Sequence, residues 1–260
     1  MFSLRPADRS LAGGATQSGE HQPVDARTTA YRVPTKRSSE IDDVIADAPL
    51  VQHYRQVITT LRLTTAPGHG TTIGVTSALY DEGAPSVVIG LATALAFDQI
   101  GSVMLIDCDL GWPTLDRRVG VPLAPGVGEL VGGLTALESC VHPTSLSNLQ
   151  VIPAGKLPQR GPRDASVVRH WLREYARATS ADYVVVNLPP ANVDPGTTII
   201  ATAVDALVLT VLGGSTPRAS VEEAILRLTG SKLASIVVNG AESNLIDRLS
   251  RPRPPSEGED

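Results

Sequence analysis

Apolar positions along this chain switch between two periods. Leu50, Val51, Tyr54, Val57, Ile58 and Leu61 recur three and four apart, which predicts a helix from Pro49 onward. A turn-forming stretch, Ala66-Pro67-Gly68-His69-Gly70, ends it. A β-branched run follows and predicts a strand over Thr72–Ser77, and Ser86–Phe97 then reads as a helix, with Pro85 suited to its first turn. Further strands are predicted at Val103–Asp107, Leu149–Ile152, Tyr183–Leu188, Ala206–Leu212 and Ala234–Val238. Tyr183–Leu188 and Ala206–Leu212 are continuously apolar, as strands buried on both faces of a parallel sheet are. Between them fall short helical patches at Val127–Gly132 and Thr135–Cys140 and longer helices at Asp164–Ala178 and Ser220–Leu228. The helix over 164–178 is amphipathic, with Val167, Val168, Trp171, Leu172 and Tyr175 on one side.

Strands alternating with helices predict an α/β fold: a doubly wound, mostly parallel sheet with helices on both faces, forming a single domain over residues 49–240. In such sheets ligands sit beyond the carboxyl ends of the strands. The polar residues that follow the apolar strands are therefore the candidates for chemistry. They are Ser77–Gly83, Asp107-Cys108-Asp109, Asn187-Leu188-Pro189-Pro190 and Asn239-Gly240.

Composition narrows the classes. A hydrophobic share of 42% supports a substantial core, and a net charge of −5 gives no general reason to expect a nucleic-acid partner. Two cysteines make no disulfide framework, which fits a reduced cytoplasmic compartment, and the five histidines show no metal-ligand spacing, so no metal site is expected. The longest nearly apolar run, Val87–Phe97, falls short of the roughly 20 residues a membrane span needs. Neither a membrane span nor a secretory signal is expected. Residues 1–48 mix Gly, Ser, Thr, Pro and both charges without a period, and are expected to be a flexible leader or a tether to a partner. Residues 241–260 are expected to be a flexible C-terminal tail.

The stretch Thr71–Pro85 has the strand, loop, helix order of a phosphate-binding loop. That template runs from a small residue through four others to Gly-Lys-Ser/Thr. Ala78 to Gly83 fill its frame, but Ala84 stands at the lysine position and Pro85 at the hydroxyl position. The cradle is present in outline without the two side chains that handle phosphate and magnesium.

The segments together resemble the bacterial tyrosine autokinases of capsule and exopolysaccharide synthesis, a group in the MinD/ParA-like branch of P-loop ATPases. The resemblance runs from about Gln52 to Gly240. A family loop like TSA-x-PGEGKST aligns without a gap on Thr76–Ser86. A second acidic motif like LLIDADLRRP aligns on Met104–Pro113, and a Walker B strand like YVIIDTPP on Tyr183–Pro190. Leu149–Gly155 and Val237–Gly240 match family segments like LxVLPAG and VVLNG. The resemblance implies a P-loop fold and an ATP–Mg²⁺ site using Gly83, Ser86 and Asn239. It implies Asp107 and Asp109 as catalytic carboxylates, and a membrane polysaccharide co-polymerase as partner at the inner face of the cell membrane.

Departures from the family pattern fall on chemistry. Ala84 removes the phosphate-pairing lysine, whose attraction at 4 Å is worth about 4 kcal/mol at an effective dielectric near 20. Pro85 removes a hydroxyl and also a backbone N–H. Asp81 replaces a glycine, and Asn187 replaces the Walker B aspartate. Binding of ATP and Mg²⁺ is accordingly expected to be weak. The family's oligomerisation frame Glu-x-x-Arg-x-x-Arg reads Gln52, Arg55, Ile58, which leaves a family-type ring in question and homo-oligomerisation open. The family phosphorylates its own C-terminal tyrosine cluster, whereas the last tyrosine here is Tyr183, in a predicted core strand.

Each candidate also has a plainer reading. Asp107 and Asp109 are either a general-base pair or inherited caps of the next turn, and Asn239 is either a base contact or a turn residue. Trp112 and Trp171 read as packing residues, His170 as a surface or packing residue, and Lys156, Arg160 and Arg163 as a solvated basic loop. Cys108, between two acids, is not expected to be reactive. Three function classes follow. The first is a catalytically impaired kinase-like adaptor in polysaccharide synthesis or export. The second is an active ATPase or tyrosine kinase with a substituted loop. The third is a MinD/ParA-like positioning ATPase, which the absence of an apolar tail face or basic stripe disfavours.

Overall fold

The computed structural model describes residues 39–65, 70–156 and 165–240. The expected leader over 1–38, tail over 241–260 and side chains of Arg160 and Arg163 lie outside them.

Among the described residues, seven strands form one sheet: β1 Thr71–Ser77, β2 Val103–Asp107, β3 His142–Pro143, β4 Leu149–Ile152, β5 Tyr183–Asn187, β6 Ala206–Leu212 and β7 Leu233–Asn239. Their order is β3-β4-β2-β5-β1-β6-β7, and every neighbouring pair is parallel except β3–β4. The expected doubly wound, mostly parallel sheet is present. The central strands are apolar because both their faces are covered. Along β2, Val103 and Leu105 enter the core on one face, and Met104 and Ile106 the core on the other.

Among the described residues, eight α-helices run in chain order: α1 Glu40–Ala46, α2 Ala48–Thr64, α3 Ala84–Phe97, α4 Leu115–Val119, α5 Val127–Val131, α6 Ala165–Ala178, α7 Gly196–Ile200 and α8 Arg218–Arg227. α2 and α3 cover one face of the sheet, with Tyr54, Ile58 and Leu61 packed in the same core as Leu91, Leu95 and Val185. α6 and α8 cover the other, with Val168, Leu172 and Ala224 packed beside Val184 and Leu207. Trp171 stacks on Tyr175 at 5.5 Å between ring centroids, the packing role its sequence context suggests, and His170 is exposed. The helix pair α2–α3 depends on Gly90. A Cβ there would lie 2.0 Å from the Tyr54 ring, so no larger residue admits this crossing.

α1 corrects the expectation of a flexible leader reaching residue 48. Ser39 caps it by accepting the Asp42 N–H, Asp42 reaches back to the Ser39 N–H, and Ile41 and Val44 are buried. Seven residues with two buried apolar side chains carry too little periodicity to announce a helix. The same brevity hid α4, α7 and the two-residue strand β3. Among the described residues no helix is long and apolar enough to cross a membrane.

Candidate functional site

Parallel register sets the chemistry in one row. Asn187 on β5 is paired with Val75 on β1 and with Asp107 on β2. The carboxyl ends of these strands open into a cavity of about 320 Å³. One wall is the loop between β1 and α3, the other is the segment after β2, and Asn187 lies between them.

The loop wall is held by bonds within the protein. Glu82 is buried, and its Oε2 accepts the backbone N–H groups of Ala78 at 2.8 Å and Leu79 at 2.9 Å. Its Oε1 accepts the Thr216 hydroxyl at 2.6 Å. Ser77 Oγ donates to the Leu79 carbonyl at 2.7 Å. Gly83 opens α3 with φ +84, where a Cβ would lie 1.9 Å from Asn239 Nδ2. Asp81 has φ +63, a left-handed conformation that glycine adopts freely and Asp tolerates, which explains a glycine at this position in the resembled loop. Ala84 and Pro85 stand in the first turn of α3 and line the cavity with a methyl group and a pyrrolidine ring.

The opposite wall carries the acids. Asp107 is fully buried. Its Oδ1 accepts Asn187 Nδ2 at 2.9 Å and the Asp109 N–H at 3.1 Å, and its Oδ2 accepts the Leu115 N–H at 3.4 Å. Burial pushes its carboxyl up to about 7 against these bonds, which act the other way. Asp109 faces the cavity and accepts the Trp112 N–H at 3.0 Å. Burial, with Asp194 nearby adding to it, pushes Asp109 up to about 6. Cys108 between them is buried and its thiol is pushed well up by burial and by both acids, so no thiolate nucleophile arises here.

The sequence-predicted residues divide accordingly. Gly83, Ala84, Pro85, Asp109 and Asn187 meet at the cavity, and Asp107 stands behind it, reached through Asn187. Ser86 and Asn239 line an adjoining depression instead, with Glu40 and Arg118. Asn239 Nδ2 donates to the Glu82 carbonyl at 3.2 Å and its Oδ1 accepts the Gly240 N–H at 3.0 Å, so its amide braces the loop. Ser86 Oγ accepts from Arg118 Nη2 at 2.9 Å.

Three contributors, Glu82, Arg118 and Tyr80, were not singled out from sequence. Glu82 belongs to the loop, but no period marks it as the residue that holds it. Arg118 arrives from α4 and ion-pairs with Glu40 on α1 at 2.9 Å, a contact between two short helices that periodicity misses. Tyr80 and Trp112 meet at the cavity mouth, with ring centroids 6.3 Å apart. Trp112 is 65% exposed, which corrects its reading as a packing residue. Another cavity of about 440 Å³ lies at the opposite end of the sheet, lined by groups such as Ser102, Gln150 and Thr179 without a carboxylate or a basic group.

A mostly parallel sheet in this strand order, with a glycine-started helix after β1 and acids after β2, is the P-loop NTPase-like fold. No protein-family model matches the chain. The chain is similar to bacterial tyrosine-protein kinases. The tyrosine-protein kinase CpsD of Streptococcus agalactiae is 27% identical over 174 residues, covering 64% of this chain and 74% of the relative. The kinase domain of the Escherichia coli tyrosine kinase ETK superposes with a TM-score of 0.67 at 21% identity, over 82% of this chain and 87% of that one. The cell-division protein MinD of Aquifex aeolicus superposes with a TM-score of 0.56 at 21% identity, over 69% of this chain and 72% of its own.

Proposed function

We propose that this chain is a catalytically impaired, tyrosine-kinase-like protein that works by binding. It serves as an adaptor or regulator in capsule or exopolysaccharide production, alongside a membrane polysaccharide co-polymerase at the inner face of the membrane. The observation that carries this reading is the first turn of α3. A methyl group and a proline ring line the cavity where a phosphate-pairing amine and a metal-holding hydroxyl are called for. The residues present do not fit an ATP–Mg²⁺ complex. Asn187 offers an amide N–H to Asp107 in place of a carboxylate for a cation, and Asp81 adds negative charge to the wall that phosphate would approach. The packed core, by contrast, is retained around the whole sheet, which is what a binding module needs.

Calorimetric titration of the full chain with ATP–Mg²⁺ tests the reading. Losing an attraction of about 4 kcal/mol weakens binding about a thousandfold, so no binding is expected below the millimolar range. Low-micromolar affinity overturns it. In cells, deleting the chain is expected to lower polysaccharide output, while Asp107→Asn, which changes only the buried carboxylate behind the cavity, leaves output near normal. A folded Asp107→Asn variant that behaves like the deletion favours a working nucleotide cycle.

A second reading, an active kinase with a substituted loop, draws on Arg118, the one cationic side chain lining the cavity among the described residues. Arg118 is already paired with Glu40 and bonded to Ser86, which is why the first reading is preferred. Incubation with ATP followed by phosphotyrosine mass spectrometry separates the two, with no phosphate expected.

A further inference from the structure

We propose that the cavity between the β1–α3 loop and Asp109 receives an organic cation, an alkylammonium or guanidinium group, held between the rings of Tyr80 and Trp112 and the carboxylate of Asp109. This rests on the reading that phosphate handling is lost at the same site, and it names what the altered cavity takes instead.

Three independent features point the same way. The first is the aromatic mouth. Tyr80 and Trp112 are 46% and 65% exposed, and their planes open at 53° like a wedge over the cavity. Aromatic faces bind cations whose centre comes within about 6 Å of the ring. The rings are a tilted pair with centroids 6.3 Å apart, favourable by itself, and both keep enough exposed surface at the cavity to take a cation. The second is an acceptor without a donor. Asn187 is 1% exposed and lines the cavity, and its Oδ1 is buried with no hydrogen-bond partner. A buried orphan acceptor is costly, and a ligand carrying N–H groups removes that cost. The third is the sign of the charge. Asp81 and Asp109 line the cavity, and Asp194 stands near enough to act on both Asp109 and Tyr80. Arg118 is neutralised by Glu40.

Competing ligands fit less well. A phosphate meets these carboxylates with no free amine and with Pro85 supplying no N–H. A bare divalent ion calls for several oxygen ligands at short range. Here Asp107 Oδ1 already accepts two N–H groups, and an amide nitrogen of Asn187 is turned toward it. The rings add nothing to a hydrated metal, whereas they match a weakly hydrated guanidinium or alkylammonium. Such a group comes either as a small molecule or as an arginine or lysine side chain of a protein partner.

Trp112 is its own reporter. In the full chain carrying Trp171→Phe, Trp112 is the single remaining tryptophan. Its fluorescence is followed on titration with agmatine, with tetramethylammonium and with a short neutral-backbone peptide containing one arginine. Saturable change at millimolar concentration or below is expected. Asp109→Asn is expected to weaken binding at least about fivefold, and Trp112→Leu, followed by calorimetry, at least about threefold. Trp112 is exposed, so that variant folds even where a change at Asp109 does not. Binding of the peptide but not of agmatine assigns the site to a protein side chain, and equal binding assigns it to small cations. No saturation by any cation, or affinity indifferent to both substitutions, overturns the proposal while leaving the impaired-kinase reading intact. Tight ATP–Mg²⁺ binding in the same cuvette overturns both.

Discussion

The two walls of the cavity solve opposite problems. The loop wall is closed on itself: Glu82 holds the Ala78 and Leu79 amides and the Thr216 hydroxyl, and Asn239 braces the Glu82 carbonyl. Its shape needs no ligand. The wall after β2 keeps its acids buried and incompletely compensated, so Asp107 and Asp109 both sit far above the ordinary carboxylate range. One wall has Ala84 and Pro85 in the first helical turn and holds its shape through Glu82, Thr216 and Asn239. The other has two carboxylates with Asn187 as their neighbour. Loop geometry here is therefore maintained by the protein's own hydrogen bonds.

Breaking the loop wall has the largest expected effect. Glu82→Ala leaves two backbone amides and a hydroxyl without acceptors, and is expected to cost about 4 kcal/mol in urea unfolding. A loss below about 1 kcal/mol shows that the loop does not depend on this lock.

The acid wall is probed by pH. Asp107 and Asp109 have folded-state values of about 7 and about 6, both above 3.8. The folded state therefore binds protons more tightly than the unfolded chain. The stability this contributes is full below pH 4 and is lost as pH rises through 6 and 7. Unfolding free energy is expected to fall by about 4 kcal/mol between pH 5 and pH 8. Asp107→Asn flattens the curve. Asn187→Asp, which sets a second carboxylate 2.9 Å from Asp107, steepens it. A flat profile in the unaltered chain contradicts the description of this wall.

Gly83→Ala sharpens the loop side. Its Cβ meets Asn239 Nδ2 in a left-handed conformation, and a loss of about 2 kcal/mol is expected in thermal unfolding. Pairing it with Asn239→Ala relieves the clash and recovers about half of that. The smallest effect belongs to Arg118, which joins the walls through Ser86 and Glu40 across partly exposed contacts. Arg118→Ala is expected to cost about 1 kcal/mol or less, diminishing in high salt.

Much of the architecture follows from local pattern. The strands at Val103–Asp107 and Ala206–Leu212 lie where their mainly apolar runs predict, because a strand covered on both faces must be largely apolar. The helix face of Tyr54, Ile58 and Leu61 is buried as its spacing requires. The loop was also legible, since a glycine opening a helix after a β-branched strand has few other uses. Glu40–Ala46 and Leu115–Val119 were not, because one or two turns carry no readable period, yet they bring Glu40 and Arg118 together beside the loop.

What the sequence determined by itself is the order of elements, the P-loop frame and the identities of Ala84, Pro85 and Asn187. These depend on residue type and on neighbours a few positions away. The tertiary structure alone decided that Asp107 lies against Asn187, that Glu82 locks the loop through Thr216, and that Tyr80 and Trp112 form one mouth. Those pairings are separated by 80, 134 and tens of positions along the chain. They arise only when parallel register sets the ends of β1, β2 and β5 side by side, and burial then fixes what each side chain meets and which charge it bears.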